Sequence, residues 1–187
     1  SIMSKAPIEF FFDFNSPYGY VAAHLIDDIA AKHGRTADWK PFLLGAVFKV
    51  TGAIPLPEAP MKGPYSKHDF GRSAGFHGLS YNPPEVVPFS PTAASRAVYW
   101  AKAQDPASAS VMGLALYKAA LGEGMDIAGP DAVAAVAGKA GFDAAAVAEG
   151  IQDPAIKEQL KTETEAAIGK NVFGSPYFIV DGEGFWG

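Results

Sequence analysis

The side chain in this sequence best placed for chemistry is Ser16, and what surrounds it narrows what that chemistry can be. Cysteine is absent, which excludes thiolate nucleophiles, disulfides, Cys-ligated zinc and dithiol exchange. The four histidines, His24, His33, His68 and His77, lack metal-ligand spacing and read as solvated or capping residues. Gly169-Lys170 lacks the rest of a phosphate loop. Ser16 has no His/Asp pattern to deprotonate it and does not sit in a G-x-S-x-G elbow, so it does not read as a nucleophile. Its hydroxyl can act in two other ways. A Ser directly before a Pro is a good helix cap, with the Pro at the first helical position. A hydroxyl at that point can also donate to a bound thiolate and lower the thiol's pKa, helped by the N–H groups and partial positive charge of the helix start. Ser90-Pro91 is an internal control, because it too precedes a helical pattern and reads as a cap alone.

The elements that must position Ser16 follow from apolar spacing. Ile8 to Phe14 carries four phenylalanines, interrupted only by Glu9 and Asp13, and reads as a buried strand. Beyond Ser16, residues Tyr18, Val21, Ala22, Leu25, Ile26, Ile29 and Ala30 recur at helical spacing up to His33-Gly34. A second strand is expected from Ala37 to Leu44, completing a βαβ unit with parallel strands. Ser16 then lies at the carboxyl end of a strand in an open α/β sheet, where ligands bind. Gly45 to Pro64 reads as irregular. Ser66 to Gly169 is Ala-rich helix with start signals at Ser90-Pro91, Asp105-Pro106, Gly129-Pro130, Asp143 and Asp153-Pro154, and stops at Gly122, Gly141 and Gly169, giving five or six helices packed as a bundle. Tyr177 to Val180, Asp181-Gly182 and Gly184 to Trp186 form a hairpin pattern. The expected fold is α/β, thioredoxin-like (βαβ … ββ) with an inserted all-helical lobe. Residues 8–45 and 170–187 make the discontinuous thioredoxin-like domain and residues 46–169 the insert. Such a fold carries one more terminal helix, which is missing from the sequence as it ends at Gly187.

Composition excludes several partners. The net charge is -5 with no basic run, which argues against nucleic acid. No apolar stretch approaches the ~20 residues of a membrane span. Lys5 is the sole cation before a first apolar run too short for a signal peptide, so a cytoplasmic protein is expected. Ser1 and Ile2, ahead of Met3, read as a cloning scar.

Phe12-Asp13-Phe14-Asn15-Ser16-Pro17-Tyr18 resembles the N-terminal motif of 2-hydroxychromene-2-carboxylate isomerases and kappa-class glutathione transferases, in the DsbA-like branch of the thioredoxin superfamily. Lys40 to Gly45, Val47-Phe48-Lys49, Met61-Lys62-Gly63, Val172 to Pro176 and Phe185-Trp186-Gly187 extend the resemblance across residues 8–187. In that alignment Ser16-Pro17-Tyr18-Gly19 covers the C-x-x-C redox motif, with both cysteines replaced. The resemblance implies glutathione as cofactor, its thiol held and activated by Ser16. It implies that Lys62 neutralises a glutathione carboxylate, that Ser175 pairs its backbone with the tripeptide, and that Pro176 is the superfamily's cis proline. Tyr18 and Trp186 would line a pocket for a small aromatic-derived substrate, and a homodimer is compatible with the family. The implied reaction opens a 2-hydroxychromene-type carboxylate to its unsaturated keto acid. Two departures stand out: Gly52-Ala53-Ile54-Pro55 has Ala where relatives carry Asn, and relatives continue past Phe-Trp-Gly into residues that hold the γ-glutamyl end. A kappa-like transferase or peroxidase uses the same Ser16, whereas a redox-dead thioredoxin-like binding module needs no glutathione.

Overall fold

The computed structural model describes residues 5–187. Residues 1–4, and with them the reading of Ser1 and Ile2 as a cloning scar, lie outside the described residues. β1 (Ile8–Phe12) is central, and its phenylalanines explain why. Phe10 and Phe12 stack at 4.9 Å on one face, with Trp39 edge-on to Phe10 at 5.0 Å. Phe11 points the other way, against Phe42. A strand apolar on both faces is stable only when covered on both.

α1 (Pro17–Lys32) lays Tyr20, Val21, Ala23, Ile26 and Ala30 inward and closes at His33-Gly34, with Gly34 at φ 69°. β2 (Ala37–Pro41) pairs parallel with β1, Phe10 opposite Trp39. β3 (Tyr177–Val180) pairs antiparallel with β1, Phe10 opposite Phe178, and β4 (Glu183–Trp186) returns along β3. The Asp181-Gly182 turn between them has φ of 50° and 82°, the left-handed pair that a tight hairpin requires. The sheet order is β2-β1-β3-β4. The βαβ unit, the hairpin and the α/β class stand as the sequence implied, with β1 ending at Phe12 rather than Phe14 and β2 at Pro41 rather than Leu44, which begins a helix.

The structure corrects the reading of residues 45–64 as wholly irregular. α2 (Leu44–Thr51) occupies the first part, buries Val47 and ends at Gly52 with φ 74°. The prolines at 55, 57 and 60 masked it, and no local side chain caps it. Only a single 3-10 turn, Leu56–Glu58, interrupts the stretch that follows.

Six helices come next: α3 (Lys62–Phe76), α4 (Thr92–Gln104), α5 (Ser108–Tyr117), α6 (Pro130–Lys139), α7 (Ala144–Gln152) and α8 (Pro154–Gly169). α5 runs into a π-helical turn, Lys118–Gly122. Asp143 and Asp153 cap their helices as expected, accepting from Ala146 N–H and Ala155 N–H. Ser90 does not: α4 begins at Thr92 without a side-chain cap, and Ser90 is exposed.

These helices cover both faces of the sheet. Phe10, Phe12 and Trp39 share one core cluster with Tyr20 and Ile26 of α1, Ala94 and Ala97 of α4, and Met112 and Leu116 of α5. On the other face Phe11 and Phe42 pack with Val47 of α2 and Ala167 of α8. The main core therefore crosses the expected boundaries at 45/46 and 169/170. Among the described residues no helix is long and apolar enough to cross a membrane.

Candidate functional site

β1 ends at Phe12, and the next four residues turn the chain into α1. Asp13 makes the turn: its Oδ1 accepts the Asn15 N–H at 2.8 Å, and its carbonyl accepts the Ser16 N–H at 2.9 Å. Ser16 then sits extended (φ -93°, ψ 109°) as the cap of α1, its Oγ accepting the Gly19 N–H at 3.0 Å. Pro17 has no N–H to satisfy, which suits the first helical position. The cap is real, and it does not exhaust the hydroxyl. Ser16 Oγ also donates to the Ser175 carbonyl at 2.9 Å, across 159 residues of sequence. Ser16 is buried, at 9 % exposure, directly at the start of α1, where the helix dipole is positive.

Ser175 closes the arrangement from the opposite side. Its Oγ accepts the Asp13 N–H at 3.0 Å, and the Ser175–Pro176 peptide is cis. Beneath the turn, the Tyr117 hydroxyl donates to the Asp13 carbonyl at 2.8 Å. Tyr117 is fully buried, and burial pushes its hydroxyl well above the ordinary phenol value. Gly19 is a matter of space. A Cβ there would lie 2.5 Å from Tyr117 Oη, 3.1 Å from Ser175 Oγ and 3.2 Å from Ser16 Cβ.

Asp13 is buried at 3 % exposure with no described cation beside it. Burial pushes its carboxyl up, against the opposing pull of N–H bonds from Asn15 and Leu44. Oδ2 accepts the Leu44 N–H at 3.0 Å, so Asp13 supplies the cap that α2 lacks locally. Asn15 extends the network: its amide and the Phe89 backbone exchange two hydrogen bonds, at 2.8 and 2.9 Å.

Ser16, Ser175 and Pro176 thus come together. Trp186, two-thirds exposed, lies over Gly174 next to Ser175 and edge-on to Phe173 at 5.3 Å. Tyr18 turns towards α3, where its hydroxyl donates to Asp69 Oδ2 at 2.5 Å and its ring meets Phe70 at 4.9 Å. Burial and the Asp69 carboxylate push the Tyr18 hydroxyl above the ordinary phenol value, and the Tyr18 bond holds Asp69 below the ordinary carboxylate value. Lys62 is exposed at the first position of α3, with no described ion pair. Two apolar cavities, of about 280 and about 500 Å³, share Ile26, Ile29 and Phe178; neither includes Ser16. Asp13, Asn15 and Tyr117 are the site residues that sequence reasoning missed. A signal for Asp13 was present: an acid set between Phe12 and Phe14 in an aromatic run.

A mixed sheet with a capped turn at the end of its central strand, and helices inserted between β2 and β3, defines a thioredoxin-like protein. The family model described as a DSBA-like thioredoxin domain matches residues 7–187, and the chain belongs to that family. It is similar to a 2-hydroxychromene-2-carboxylate isomerase of Sphingobium xenophagum, with 29% identity over 96% of this chain and 91% of the relative. A second relative, glutathione S-transferase kappa 1 of Caenorhabditis elegans, is 35% identical over 86 residues, 45% of this chain and 38% of its own. Among solved structures, a selenomethionine 2-hydroxychromene-2-carboxylate isomerase superposes with a TM-score of 0.82 at 28% identity, over 96% of this chain and 88% of that one.

Proposed function

We propose that the chain is a glutathione-dependent isomerase that converts a 2-hydroxychromene-2-carboxylate to its open-chain unsaturated keto acid, Ser16 activating the glutathione thiol. The observation that carries this reading is the Ser16 hydroxyl, buried at the start of α1 between the Gly19 N–H and the Ser175 carbonyl. Relatives bearing the name of that isomerase, aligned over nearly the whole chain, support the reaction class. The match to a kappa glutathione transferase supports the cofactor.

The donor set suits a thiolate. Ser16 supplies a hydroxyl, α1 supplies the positive end of its dipole, and the nearest acid, Asp13, is buried behind the turn. Glutathione, when bound, supplies a sulfur nucleophile that adds to the substrate, permits rotation about the former double bond and leaves. The Gly19 N–H fixes Ser16 Oγ, so only the hydroxyl hydrogen needs to turn from the Ser175 carbonyl towards the sulfur. That carbonyl is then free to accept an N–H from the tripeptide beside Pro176. In this reading Lys62 balances a glutathione carboxylate, while Tyr18 and Trp186 face the aromatic substrate. A cytoplasmic location, where reduced glutathione is maintained, and a homodimer belong to the same reading.

Calorimetric titration with glutathione, together with the ultraviolet thiolate band, tests it. The wild type should bind and show a thiolate at neutral pH that Ser16→Ala loses. A wild type that binds no glutathione would overturn the reading in favour of a redox-dead binding module. The kappa match favours one second reading, a transferase or peroxidase on the same Ser16. Incubation with a chromene carboxylate separates the two, because only the isomerase returns the keto acid without a stable glutathione adduct.

A further inference from the structure

Asp13 is the only carboxylate among the buried described residues, and neither the cap nor the thiol chemistry assigned to Ser16 uses it. A buried acid without a cation is costly unless N–H donors satisfy it. Three do, from two parts of the chain: Asn15 N–H at 2.8 Å and Asn15 Nδ2–H at 3.3 Å on Oδ1, and Leu44 N–H at 3.0 Å on Oδ2. Through Asn15 the same carboxylate reaches the backbone of Phe89. The Asp13 main chain is engaged too: its carbonyl accepts from Ser16 N–H and from the Tyr117 hydroxyl, and its N–H donates to Ser175 Oγ. Asp13 is therefore bonded both to Ser16 and to the residue whose carbonyl receives the Ser16 hydroxyl.

We propose that Asp13 is the positioning residue of the candidate site, its carboxylate locking the Ser16 turn, the first N–H of α2 and the Phe89 segment into one frame that aims the Ser16 hydroxyl. The proposal rests on the reading of Ser16 as the thiol-activating group. It also explains why the position holds an acid. A carboxylate accepts at both oxygens, whereas the isosteric amide presents an NH₂ to one donor and leaves either Asn15 N–H or Leu44 N–H unpaired. The first outcome loosens the Ser16 turn. The second loosens α2, which leads towards Lys62.

The test compares wild type with Asp13→Asn in glutathione titrations followed by the thiolate band across pH, and in steady-state turnover of a chromene carboxylate. In the variant the midpoint of thiolate formation should rise by about one pH unit, a tenfold loss of thiolate below the midpoint. kcat should fall on the order of ten- to a hundredfold, as for other outer partners of a reacting group, with KM little changed. A merely structural Asp13 predicts a lower melting temperature with the thiolate midpoint and kcat unmoved, and that result overturns the proposal. If Asp13→Asn does not fold, Asn15→Ala, which removes one rung from the same carboxylate, should shift the midpoint in the same direction by less; an unmoved midpoint again overturns it. Amide hydrogen exchange needs no glutathione. Gly19 N–H, bonded to Ser16 Oγ, should exchange faster in Asp13→Asn. Should wild type fail to bind glutathione, the functional reading falls and this exchange decides on Asp13 alone: faster exchange sustains its positioning role, equal exchange removes it.

Discussion

The chain contains two Ser-Pro helix starts of the same outward form, Ser16-Pro17-Tyr18-Gly19 and Ser90-Pro91-Thr92-Ala93. At the first, the serine is buried, caps α1 and bonds across the sheet to Ser175. At the second, the serine is exposed and α4 starts without its side chain. Position four differs as well: Ala93 buries its methyl group with little exposure, whereas Gly19 is hemmed in by Tyr117, Ser175 and Ser16. The dipeptide alone therefore makes neither a cap nor a site. Ser16 owes its role to its place at the end of the central strand, opposite a second chain segment whose carbonyl faces it. The start of α4 has no such counterpart.

Mutation can break this contrast or sharpen it. Ser16→Ala should lower kcat on the order of 10²- to 10³-fold in a chromene-carboxylate assay with glutathione, the scale of losing one aimed donor, while Ser90→Ala leaves kcat intact. Equal effects at the two serines would end the distinction. Gly19→Ala should cost about 1–3 kcal/mol of stability in urea unfolding through overpacking, and the cost should be smaller when the same change is made in a Tyr117→Phe background. The reciprocal change, Ala93→Gly, should cost about 0.5–1 kcal/mol through helix propensity, with no dependence on Tyr117.

Tyr18 and Thr92, the third residues of each start, differ in that only Tyr18 reaches another helix through an acid. The Tyr18–Asp69 bond contributes fully between the ordinary carboxylate value of 3.8 and the ordinary phenol value of 10.0. The Asp69 value is depressed, so its contribution disappears as pH falls below 3.8. The Tyr18 value is raised, so the contribution also declines as pH climbs above 10.0. Asp69→Asn should remove the acid slope from a stability–pH curve measured by denaturant unfolding and reduce the alkaline one, which the burial of Tyr18 also feeds; unchanged slopes would show that the bond carries no linkage. The smallest expected effect is Ser90→Ala itself, within about 0.5 kcal/mol by the same unfolding measurement, as for a surface residue without a partner.

What could be read from the sequence was local. The phenylalanine run, the helical spacing after Ser16 and the Asp181-Gly182 turn each carry their signal within a few residues, and each became the expected element. Ser16 was legible because a cap and a strand end are both local features. α2 was not, because its first N–H is capped by Asp13, 31 residues earlier, while the neighbouring prolines suggest a loop. The two acids in the aromatic run show the same limit. Glu9 meets Lys40 and Lys170, each at 2.9 Å, whereas Asp13 meets backbone N–H groups and the amide of Asn15. Both interrupt the same run, and only the folded chain tells an acid paired with lysines from a buried one bonded to N–H groups. A sequence likewise does not reveal that Ala97 and Met112 of the expected insert pack in one cluster with Phe12.

The crowding at Gly19 bears on how this protein could change. Ser16 and Gly19 cover the two positions of a C-x-x-C pair, so dithiol exchange would require a sulfur at both. Ser16→Cys alone exchanges one γ atom for another and yields a lone thiol able to form mixed disulfides by exchange with small disulfides, releasing a small thiol. The second sulfur has no such route, since even its Cβ would meet the buried Tyr117 hydroxyl at 2.5 Å. Tyr117 would have to give way first, and its hydroxyl is bonded to the carbonyl that begins the Ser16 turn. Placing a redox pair at these two positions thus takes more than the two cysteines, and an engineer seeking an oxidoreductase here must start in α5 rather than at the motif.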